Sequence, residues 1–574
     1  MKARETYEFW LENSYFDETT KEELRSIADD EKEIEERFYR DLEFGTGGLR
    51  GIIGAGTNRM NIYTVRKATQ GLANFILKEG AEKKGVAIAY DSRNMSPEFA
   101  QEAALCLAVN GIKAYIFPSL RPTPMLSFTL RELGCTAGIV VTASHNPPEY
   151  NGYKVYWEDG AQITAPKDSQ IIGEVNAITD YAQVKTMTRE AAEEAGLYEV
   201  IGSEIDDKYI EALKKLALHP EIIREEAANL KIVYTPLHGT GNLPVRRILK
   251  ELGFTQVYIV KEQELPDGNF PTVSYPNPED KNAFALALKL AKEVDADIVL
   301  ATDPDADRLG VYAKDTETGE YQSFTGNMSG MLILEYILSQ KKAMGILPEN
   351  GAVVTTIVSG KMSREITADY GVKLIETLTG FKYIGEQIKF FEQNHDHEFL
   401  FGYEESYGCL VGTHARDKDA VVAVMALCEV AAWCKHQGIT LCDQMKKLFD
   451  TYGYYKEGLS TVTLKGQDGA KKIQEMMENI RKDVPEQIGG IKVAQFRDYR
   501  EDVQLDCVTG EQTVTGLPKS NVLYFELEGG TWCCIRPSGT EPKIKFYIGV
   551  KGADEKEAEE KLDQMMDALS KLAE

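Results

Sequence analysis

The sequence predicts an α/β fold with three similar mixed α/β domains, whose sheets are largely parallel, and a C-terminal α+β domain, arranged around one central cleft. Strand-like apolar runs alternate with helix-length segments over most of the chain. These runs form three groups of three, and the last run of each group leads into a polar loop. After about Tyr455 this pattern changes. A chain of 574 residues has room for several such domains.

The first three domains rest on the spacing of the strand-like runs. The runs are 86–89, 114–117 and 138–141 in the first group, 231–234, 256–260 and 297–301 in the second, and 352–358, 372–375 and 398–401 in the third. The polar loops that follow the third runs begin at Thr142, Asp303 and Gly402. Ligands of open α/β sheets bind at the carboxyl ends of strands. Three equivalent strand ends therefore predict one cleft shared by three similar domains.

The C-terminal region has a different pattern. We predict strands at 461–464, 522–527, 532–535 and 545–550, with a turn at Gly529-Gly530 between the second and the third. An amphipathic helix that runs to Leu572 follows them. The predicted domains are 1–205, 206–325, 326–455 and 456–574. We also expect a charged surface helix over 21–42. The apolar run 420–434, interrupted by Glu429, is too short to cross a bilayer and predicts a buried helix.

The charge of the chain excludes some partners. Acidic residues number 91 and basic residues 65, which gives a net charge of −26. A protein this acidic has no overall attraction for nucleic acid or for an anionic membrane. The nine cysteines include no C-x-x-C pair, and the acidic N-terminus has no signal-peptide pattern. We expect a cytoplasmic protein with a small-molecule substrate and neither nucleic-acid nor membrane partners; its oligomeric state stays open.

The clearest chemical signal is an aspartate triplet. Asp303, Asp305 and Asp307 alternate at the end of an apolar strand, so their side chains point the same way. Three carboxylates held together repel each other, and a hard cation with oxygen ligands, such as Mg²⁺, removes that cost. Arg308 in the sixth place excludes a calcium loop, which needs glycine there. A solvated acidic turn is the alternative.

Ser144 and His145 lie in the stretch TASHNP. Neighbouring residues in extended or turn backbone point in different directions, so we do not expect a Ser–His dyad. Without a G-x-S-x-G elbow the chain does not resemble an α/β-hydrolase. A serine beside a divalent metal could carry a phosphoryl group, whereas the Asn-Pro-Pro sequence alone would form a plain turn. The string does not decide between them.

Two compact loops carry an arginine beside glycine or hydroxyl residues, a combination that suits phosphate. One is 43–51 with Arg50, and the other is 536–540 with Arg536. Glu404 and Ser406 could bind sugar hydroxyls, or they could cap a helix. Lys382, in a polar strand-end loop, is a candidate for an anion contact.

Taken together, the strings FGTGGLRG, TASHNP with NGYK, DPDADR, TGFKY, GYEESYG and RPSGTEP resemble the α-D-phosphohexomutase family, and most closely its phosphoglucomutase-type members. They occur in the family's order from residue 43 to 542. The resemblance implies that Ser144 is the phosphoserine and that Asp303, Asp305 and Asp307, with a phosphoserine oxygen, hold Mg²⁺. The other implied site residues are His145, Lys154, Arg50 and Arg308 around the transferring phosphoryl group, Lys382, Lys418 and Arg416 on the substrate side, Glu404 and Ser406 on the sugar, and Arg536, Ser538, Gly539 and Thr540 on the distal phosphate.

The implied reaction moves phosphate between C1 and C6 of glucose, with glucose 1,6-bisphosphate as intermediate and activator. A phosphopentomutase, a phosphomannomutase or a sugar-bisphosphate synthase is the alternative on the same scaffold. Phosphomannomutase-like bacterial members have a histidine where this chain has Gly408, which argues against mannose phosphate. The acid–base residue stays open among Lys154, Lys418 and His145.

Overall fold

The computed structural model describes residues 3–45, 47–464, 466–538 and 543–572. The chain forms two compact units, Met1–Ile333 with Phe381–Leu441, and Leu334–Gly380 with Cys442–Glu574. The helices are α1 Ala3–Glu12, α2 Glu18–Ser26, α3 Glu31–Phe38, α4 Ile62–Lys78, α5 Ser96–Val109, α6 Thr123–Glu132, α7 Lys167–Asn176, α8 Arg189–Glu194, α9 Ser203–Lys214, α10 Pro220–Glu226, α11 Asn242–Leu252, α12 Ala285–Val294, α13 Gly326–Ala343, α14 Met362–Tyr370, α15 Phe381–Asn394, α16 Ala420–His436, α17 Leu441–Tyr452, α18 Gly466–Lys482 and α19 Glu555–Leu572.

The strands follow the spacing that the apolar runs predict. They are β1 Gly48–Ile52, β2 Val86–Tyr90, β3 Ala114–Ile116, β4 Ala137–Val141, β5 Tyr150–Trp157, β6 Tyr198–Val200, β7 Ile232–Thr235, β8 Val257–Ile259, β9 Ile298–Thr302, β10 Leu309–Lys314, β11 Tyr321–Phe324, β12 Gly351–Thr356, β13 Lys373–Thr377, β14 Glu398–Glu404, β15 Gly408–Val411, β16 Tyr454–Thr463, β17 Gln487–Ile488, β18 Ile491–Asp498, β19 Val503–Asp506, β20 Gln512–Thr513, β21 Leu523–Leu527, β22 Trp532–Pro537 and β23 Lys543–Gly552.

Two mixed sheets form the centre of the first unit. The first has the strand order β1-β5-β4-β2-β3-β6, and the second has the order β11-β10-β9-β7-β8. In both, the inner strands are parallel: β2 pairs with β3 and β4, and β7 pairs with β8 and β9. All residues of β2, β4, β7 and β9 are buried, as expected for parallel strands covered on both faces.

The same connection follows the last parallel strand of each sheet. After β4 a polar loop leads back into β5, which is antiparallel to β4. After β9 a polar loop leads back into β10, which is antiparallel to β9. The strand β14 likewise turns through a polar loop into the antiparallel β15. Each predicted polar set therefore lies at the carboxyl end of a buried strand, next to a tight reversal. The third set begins within β14, which runs to Glu404.

The second unit contains a parallel pair and an antiparallel sheet. The pair is β12 with β13, and the sheet has the order β16-β23-β22-β21-β18-β19-β20, with β17 on β18. Gly529 and Gly530, with φ of 73° and 77°, make the predicted turn between β21 and β22. Residues of α18 and α19 pack into a core with Phe525 and Phe546 on the sheet. This region is the α+β domain that the sequence predicts, and the predicted class of mixed α/β domains followed by an α+β domain is confirmed.

The single surface helix predicted for 21–42 is wrong. The segment forms α2 and α3, because the side chain of Asp30 accepts hydrogen bonds from the N–H groups of Lys32 and Glu33 and starts a new helix. The region is also less exposed than its charge suggests: Trp10 stacks on Phe16 at 4.1 Å in a buried aromatic cluster with Phe38. Charged residues lie on one face of these N-terminal helices, while the aromatic residues pack on the other.

The buried helix predicted from residue 420 is confirmed as α16. Asp419 caps its first turn, and the apolar residues along it are buried except Trp433, which is half-buried. Among the residues that the structure describes, no helix combines the length and apolar character needed to cross a membrane.

Candidate functional site

Ser144 lies in the loop between β4 and β5 and is 4% exposed. Its Oγ donates a hydrogen bond of 2.9 Å to Oδ2 of Asp303, in the loop after β9. Its backbone N–H donates to Oγ1 of Thr142 at 2.8 Å. Two loops that are 159 residues apart in the chain thus meet through the serine hydroxyl.

The serine and the neighbouring histidine form a close pair, which sequence reasoning did not expect. His145 Nδ1 lies 3.2 Å from Ser144 Oγ. The cause is the backbone of Ser144, whose φ of 51° places it in the left-handed region. Neighbouring side chains point apart in extended or ordinary turn backbone, and the left-handed Ser144 departs from both.

A buried arginine holds the Ser144 loop. The guanidinium of Arg93, in the loop after β2, donates to backbone carbonyls of the Ser144 loop and is 1% exposed. The four acceptors are the carbonyl oxygens of Ser144 at 2.6 Å, Asn146, Pro147 at 2.8 Å and Tyr150 at 3.0 Å. Asp91 supports the same loop, because its Oδ2 accepts from Thr142 Oγ1 at 2.6 Å. The strained backbone at Ser144 is therefore fixed from outside the loop.

The aspartate loop after β9 is built on its own first carboxylate. Asp303 Oδ1 accepts the N–H groups of Asp307 and Arg308, each at 3.0 Å. Ala306, which lies between Asp303 and Asp307 in the chain, is left-handed, with φ of 49°. This backbone turns one carboxylate oxygen of each of Asp303, Asp305 and Asp307 toward the others, within 4.8 Å.

The three aspartates have the features of a cation site. All are buried, and Oδ1 of Asp305 and Oδ1 of Asp307 have no hydrogen-bond partner among the described residues. Burial, with the nearby carboxylates of Asp307 and Asp305, raises the pKa of Asp303 well above its ordinary value. Leaving a buried carboxylate oxygen unpaired costs free energy, and a cation with oxygen ligands would offset that cost. The triplet can therefore bind a metal ion.

Two lysines offset the negative charge of the triplet. Lys154 Nζ lies 2.9 Å from Asp305 Oδ2, and Lys418 Nζ lies 3.3 Å from Asp307 Oδ2. Although burial alone would lower the pKa of Lys154, the carboxylates of Asp305 and Asp307 raise it above its ordinary value. Both ammonium groups therefore stay protonated and contribute positive charge.

Two arginines complete the cationic side of the cluster, and His145 lies beside them. Arg308 Nη1 donates to Glu279 Oε1 at 2.6 Å, and Arg50 Nη1 donates to Asn146 Oδ1 at 3.3 Å. Burial, followed by the charges of Arg308 and Arg50, lowers the pKa of His145 to about 2. The imidazole of His145 is therefore neutral at physiological pH.

The third polar loop joins the other two within the first unit. Ser406 Oγ donates to Glu404 Oε1 at 2.7 Å, and Lys418 Nζ lies 3.7 Å from Glu404 Oε1. Tyr407 is left-handed, with φ of 66°, and its carbonyl accepts from Leu309 N at 2.9 Å. Lys418 thus contacts both the aspartate loop and the predicted sugar loop.

Some predicted residues lie elsewhere. The Arg416 side chain is fully buried, and its Nη1 donates to the carbonyls of Thr413 and Ala415, so it does not face the cluster. Lys382 is in the first turn of α15, 5.2 Å from the ring centre of Tyr383. Arg536 is the penultimate residue of β22 in the second unit, and Ser538 directly follows the strand. Gly539 and Thr540 lie outside the described residues.

Sequence reasoning missed several residues that support the site. Arg93 holds the Ser144 loop, Glu279 holds Arg308, and Thr123 Oγ1 donates to Asp305 Oδ2 at 2.9 Å. A signal for the first of these was available, because Asp91-Ser92-Arg93 directly follows β2, at the same edge of the sheet as the Ser144 loop. Thr123 and Glu279 carry no local pattern.

Four family models match the chain in order. Their descriptions and ranges are phosphoglucomutase/phosphomannomutase alpha/beta/alpha domain I at 41–182, domain II at 207–318 and domain III at 325–452, and the phosphoglucomutase/phosphomannomutase C-terminal domain at 475–568. The exact boundaries near residues 205, 325 and 455 stay predictions.

Curated relatives match over nearly the whole chain. A phosphoglucomutase of Staphylococcus epidermidis RP62A is 37% identical over 523 residues, which cover 90% of this chain and 92% of the relative. A phosphoglucomutase of Staphylococcus aureus MRSA252 is 36% identical over 548 residues, covering 95% and 96%.

Solved structures share the fold. The open form of pp63/parafusin, a phosphoglucomutase from Paramecium, has a TM-score of 0.69 at 18% identity and covers 93% of this chain and 95% of its own. A phosphoglucomutase/phosphomannomutase family protein from Burkholderia thailandensis has a TM-score of 0.64 at 18% identity and covers 92% and 96%. At these identities the likeness concerns the fold alone.

Proposed function

Because this chain belongs to the phosphoglucomutase/phosphomannomutase family, we propose that it interconverts glucose 1-phosphate and glucose 6-phosphate. Such an enzyme is an intramolecular phosphotransferase of the isomerase class. The observation that carries the proposal is the hydrogen bond between Ser144 Oγ and Asp303, inside a cluster of three aspartates and two lysines. The names of the relatives support glucose phosphate as the substrate.

We assign the metal of this site to Asp303, Asp305 and Asp307, with an oxygen on Ser144 as a further ligand. The unpartnered carboxylate oxygens and their burial support this assignment, and oxygen ligands favour Mg²⁺. When bound, Mg²⁺ would offset the negative charge that develops on a transferring phosphoryl group.

Ser144 is the proposed phosphate carrier. In the first half-reaction the free sugar hydroxyl oxygen bonds to the phosphorus of phosphorylated Ser144, the bond from phosphorus to Oγ breaks, and the hydroxyl proton is passed on to Oγ. The product, glucose 1,6-bisphosphate, turns end for end, and the reverse step returns its other phosphate to Ser144. Atoms and charge balance over the cycle, and the serine ends as it began.

The surrounding side chains position the reacting groups, compensate their charge and include the candidates for proton transfer. Lys154, Lys418 and Arg308 supply fixed positive charge next to the phosphoryl position, the kind of electrostatic help on which this chemistry depends. His145 is neutral and lies beside Ser144 Oγ, so it orients the hydroxyl and can relay its proton. We keep Lys154 and Lys418 as the other candidates for proton transfer.

The sugar and the distal phosphate would be held by separate groups. We propose that Glu404 and Ser406 bind sugar hydroxyls, since their hydrogen bond places both polar groups at the end of β14. Lys382 would add an anion contact, Arg50 would contact the transferring phosphoryl group, and Arg536, Ser538, Gly539 and Thr540 would bind the distal phosphate.

Position 408 supports glucose over mannose phosphate. A Cβ on Gly408 would lie 2.0 Å from Cδ of Lys418, so a histidine at this place would force Lys418 to move. The lysine that contacts both Asp307 and Glu404 thus requires the glycine.

The first experiment is intact mass spectrometry before and after incubation with glucose 1,6-bisphosphate and Mg²⁺. The proposal expects a gain of one phosphoryl group, mapped to Ser144 by peptide fragmentation. A protein that turns over substrate without any phosphoserine at 144 would contradict the mechanism.

The second experiment compares glucose 1-phosphate with mannose 1-phosphate and ribose 1-phosphate under the same conditions. We expect the highest kcat/KM with glucose 1-phosphate. A preference for another sugar would assign the same chemistry to that sugar, and release of inorganic phosphate without isomerised sugar would indicate a phosphatase. A cytoplasmic location stays a prediction.

A further inference from the structure

The first unit contains a cavity whose lining residues differ from those of the Ser144 site. Its volume is about 500 Å³, and its walls come from the segment before α6, from α9, from the start of α11 and from the loop at 265–266. Leu120, Met125 and Ile210 form an apolar interior, while Leu243 and Leu265 flank it with 70% and 72% of their surface exposed. A cavity of this size suits a small organic molecule.

The charged groups of the lining already have partners within the protein. Arg121 makes two bonds of 2.8 Å to the carboxylate of Asp206, and Arg247 Nη2 lies 2.7 Å from Asp207. A charged ligand would have to compete with these ion pairs. Thr240 differs, since its buried Oγ1 has no hydrogen-bond partner among the described residues. A ligand oxygen that reached this hydroxyl would recover the cost of leaving it unpaired.

We propose that this cavity is a second ligand site for a neutral, mainly apolar molecule with one hydrogen-bonding oxygen, and that its occupancy changes the affinity of the aspartate loop for its metal. The apolar walls and the paired arginines select a neutral ligand, and Thr240 is the anchor for its oxygen. The proposed ligand binding depends on the cavity alone, whereas the proposed coupling also depends on the proposed metal site.

Two links connect the lining directly to the aspartate loop. The N–H of Thr240 donates to the carbonyl of Pro304 at 2.8 Å. Thr123, two residues before the lining residue Met125, donates from its N–H to the carbonyl of Asp305 and from Oγ1 to Asp305 Oδ2, each at 2.9 Å. A ligand that moves either segment moves the backbone on which Asp305 is held.

A third link reaches the lysine of the site. Tyr209, which lines the cavity, donates its hydroxyl to the carboxylate of Asp419 at 2.8 Å and 2.9 Å. Asp419 directly follows Lys418, whose ammonium lies 3.3 Å from Asp307 Oδ2. Chains of packed and hydrogen-bonded groups of this kind carry energetic coupling between sites.

Binding is tested with 2-naphthol, a fluorescent neutral bicycle with one hydroxyl, and with 2-naphthalenesulfonate as its anionic counterpart. We expect saturable one-site binding of 2-naphthol and weaker binding of the sulfonate. Absence of 2-naphthol binding, or a preference for the anion, would overturn the proposal.

The location is tested with Leu243→Asp and Leu265→Asp, which place a charge at the mouth of the cavity. Both side chains are exposed, so the fold should tolerate them, and Val514→Asp, at a position 69% exposed and outside the lining, is the matched control. The cavity variants should weaken 2-naphthol binding by about tenfold or more, and the control should not. Equal effects in all three variants would place the binding elsewhere.

The coupling is tested by measuring the dissociation constant of 2-naphthol with and without Mg²⁺, and the Mg²⁺ midpoint by calorimetry with and without 2-naphthol. Linkage requires both to change by the same factor, and we expect at least about fivefold. Unchanged constants would overturn the coupled site. If Mg²⁺ does not bind at all, the metal assignment fails, a result that 2-naphthol binding alone distinguishes from failure of the cavity.

Discussion

The loops after β4 and β9 have the same place in their sheets, yet their main hydrogen bonds are made in different ways. Each reverses the chain into an antiparallel strand, and each has one left-handed residue that is not glycine, Ser144 or Ala306. The Ser144 loop is fixed from outside, by four bonds from the guanidinium of Arg93 to its carbonyls. The other loop is shaped by its own carboxylate, because Asp303 accepts two of its N–H groups. The outside N–H groups of Thr240 and Thr123 add bonds to its carbonyls.

The difference suits the chemistry proposed for each loop. If the backbone carbonyls are bonded by Arg93, the Ser144 side chain needs no structural role and its hydroxyl is available for phosphate. In the aspartate loop, Oδ1 of Asp303 supports the backbone, while Oδ1 of Asp305 and of Asp307 is unpartnered. The same kind of reversal thus presents a single hydroxyl in the Ser144 loop and a set of carboxylates in the aspartate loop. The difference depends on which groups make the hydrogen bonds of each loop.

The largest effect should come from Ser144→Ala, which removes the group that the first loop presents. Steady turnover should fall by at least about 10³-fold, because no later step can replace a lost nucleophile. The unfolding midpoint should change little, since Arg93 bonds the backbone and not the side chain. Ser570→Ala, on the exposed face of α19, is the control. Turnover close to wild type would remove Ser144 from its proposed role.

Asp305→Asn should come next, because it removes the charge of one proposed metal ligand and leaves both N–H bonds to Asp303 in place. The Mg²⁺ concentration at half-saturation should rise by about 100-fold. Removing a metal ligand should weaken binding at least as much as removing a residue that only supports a ligand. Asp303→Asn should in addition lower thermal stability, since Asp303 accepts the N–H groups of Asp307 and Arg308. The same metal titration for wild type and Asp305→Asn would favour a solvated acidic turn.

Arg93→Lys and Arg93→Met test whether the first loop is fixed from outside. A lysine keeps the positive charge but lacks the planar guanidinium that reaches four carbonyls. Neither variant should therefore hold the Ser144 loop in its wild-type conformation. We expect kcat to fall by about 100-fold, the cost of displacing a reacting group by about 1 Å. The Mg²⁺ midpoint should change far less than in Asp305→Asn, because the three aspartates stay in place. If only the unfolding temperature falls and kcat of the folded enzyme is unchanged, Arg93 is structural and does not position Ser144.

The smallest effect should follow Thr123→Val, which removes one hydrogen bond to Asp305 Oδ2 and keeps the backbone bond to its carbonyl. We expect the Mg²⁺ midpoint to rise by about tenfold, with the same kcat at saturating metal. Thr129→Val, in the same helix but bonded only to Met125, is the matched control. Equal metal titrations for the two variants would show that the second loop needs no support from α6.

Much of the fold could be predicted because its signals are local. The apolar runs at β2, β4, β7 and β9 predict buried strands, and the polar residues directly after them mark the strand ends. The predicted helix over 21–42 failed for an equally local reason, since the capping side chain of Asp30 divides it. The near contact of His145 with Ser144 was not predictable in this way, because it depends on a backbone angle that the string TASHNP does not specify.

The sequence by itself determined which residues carry chemistry and at which strand ends they stand, because hydrophobic periodicity and strand-end loops are encoded within a few residues. Only the tertiary structure decided how these residues meet. Thr123 and Asp305, bonded at 2.9 Å, are 182 residues apart, and Ser144 and Asp303 are 159 residues apart. Such contacts arise when separate sheets pack together, and no short stretch of sequence specifies that packing.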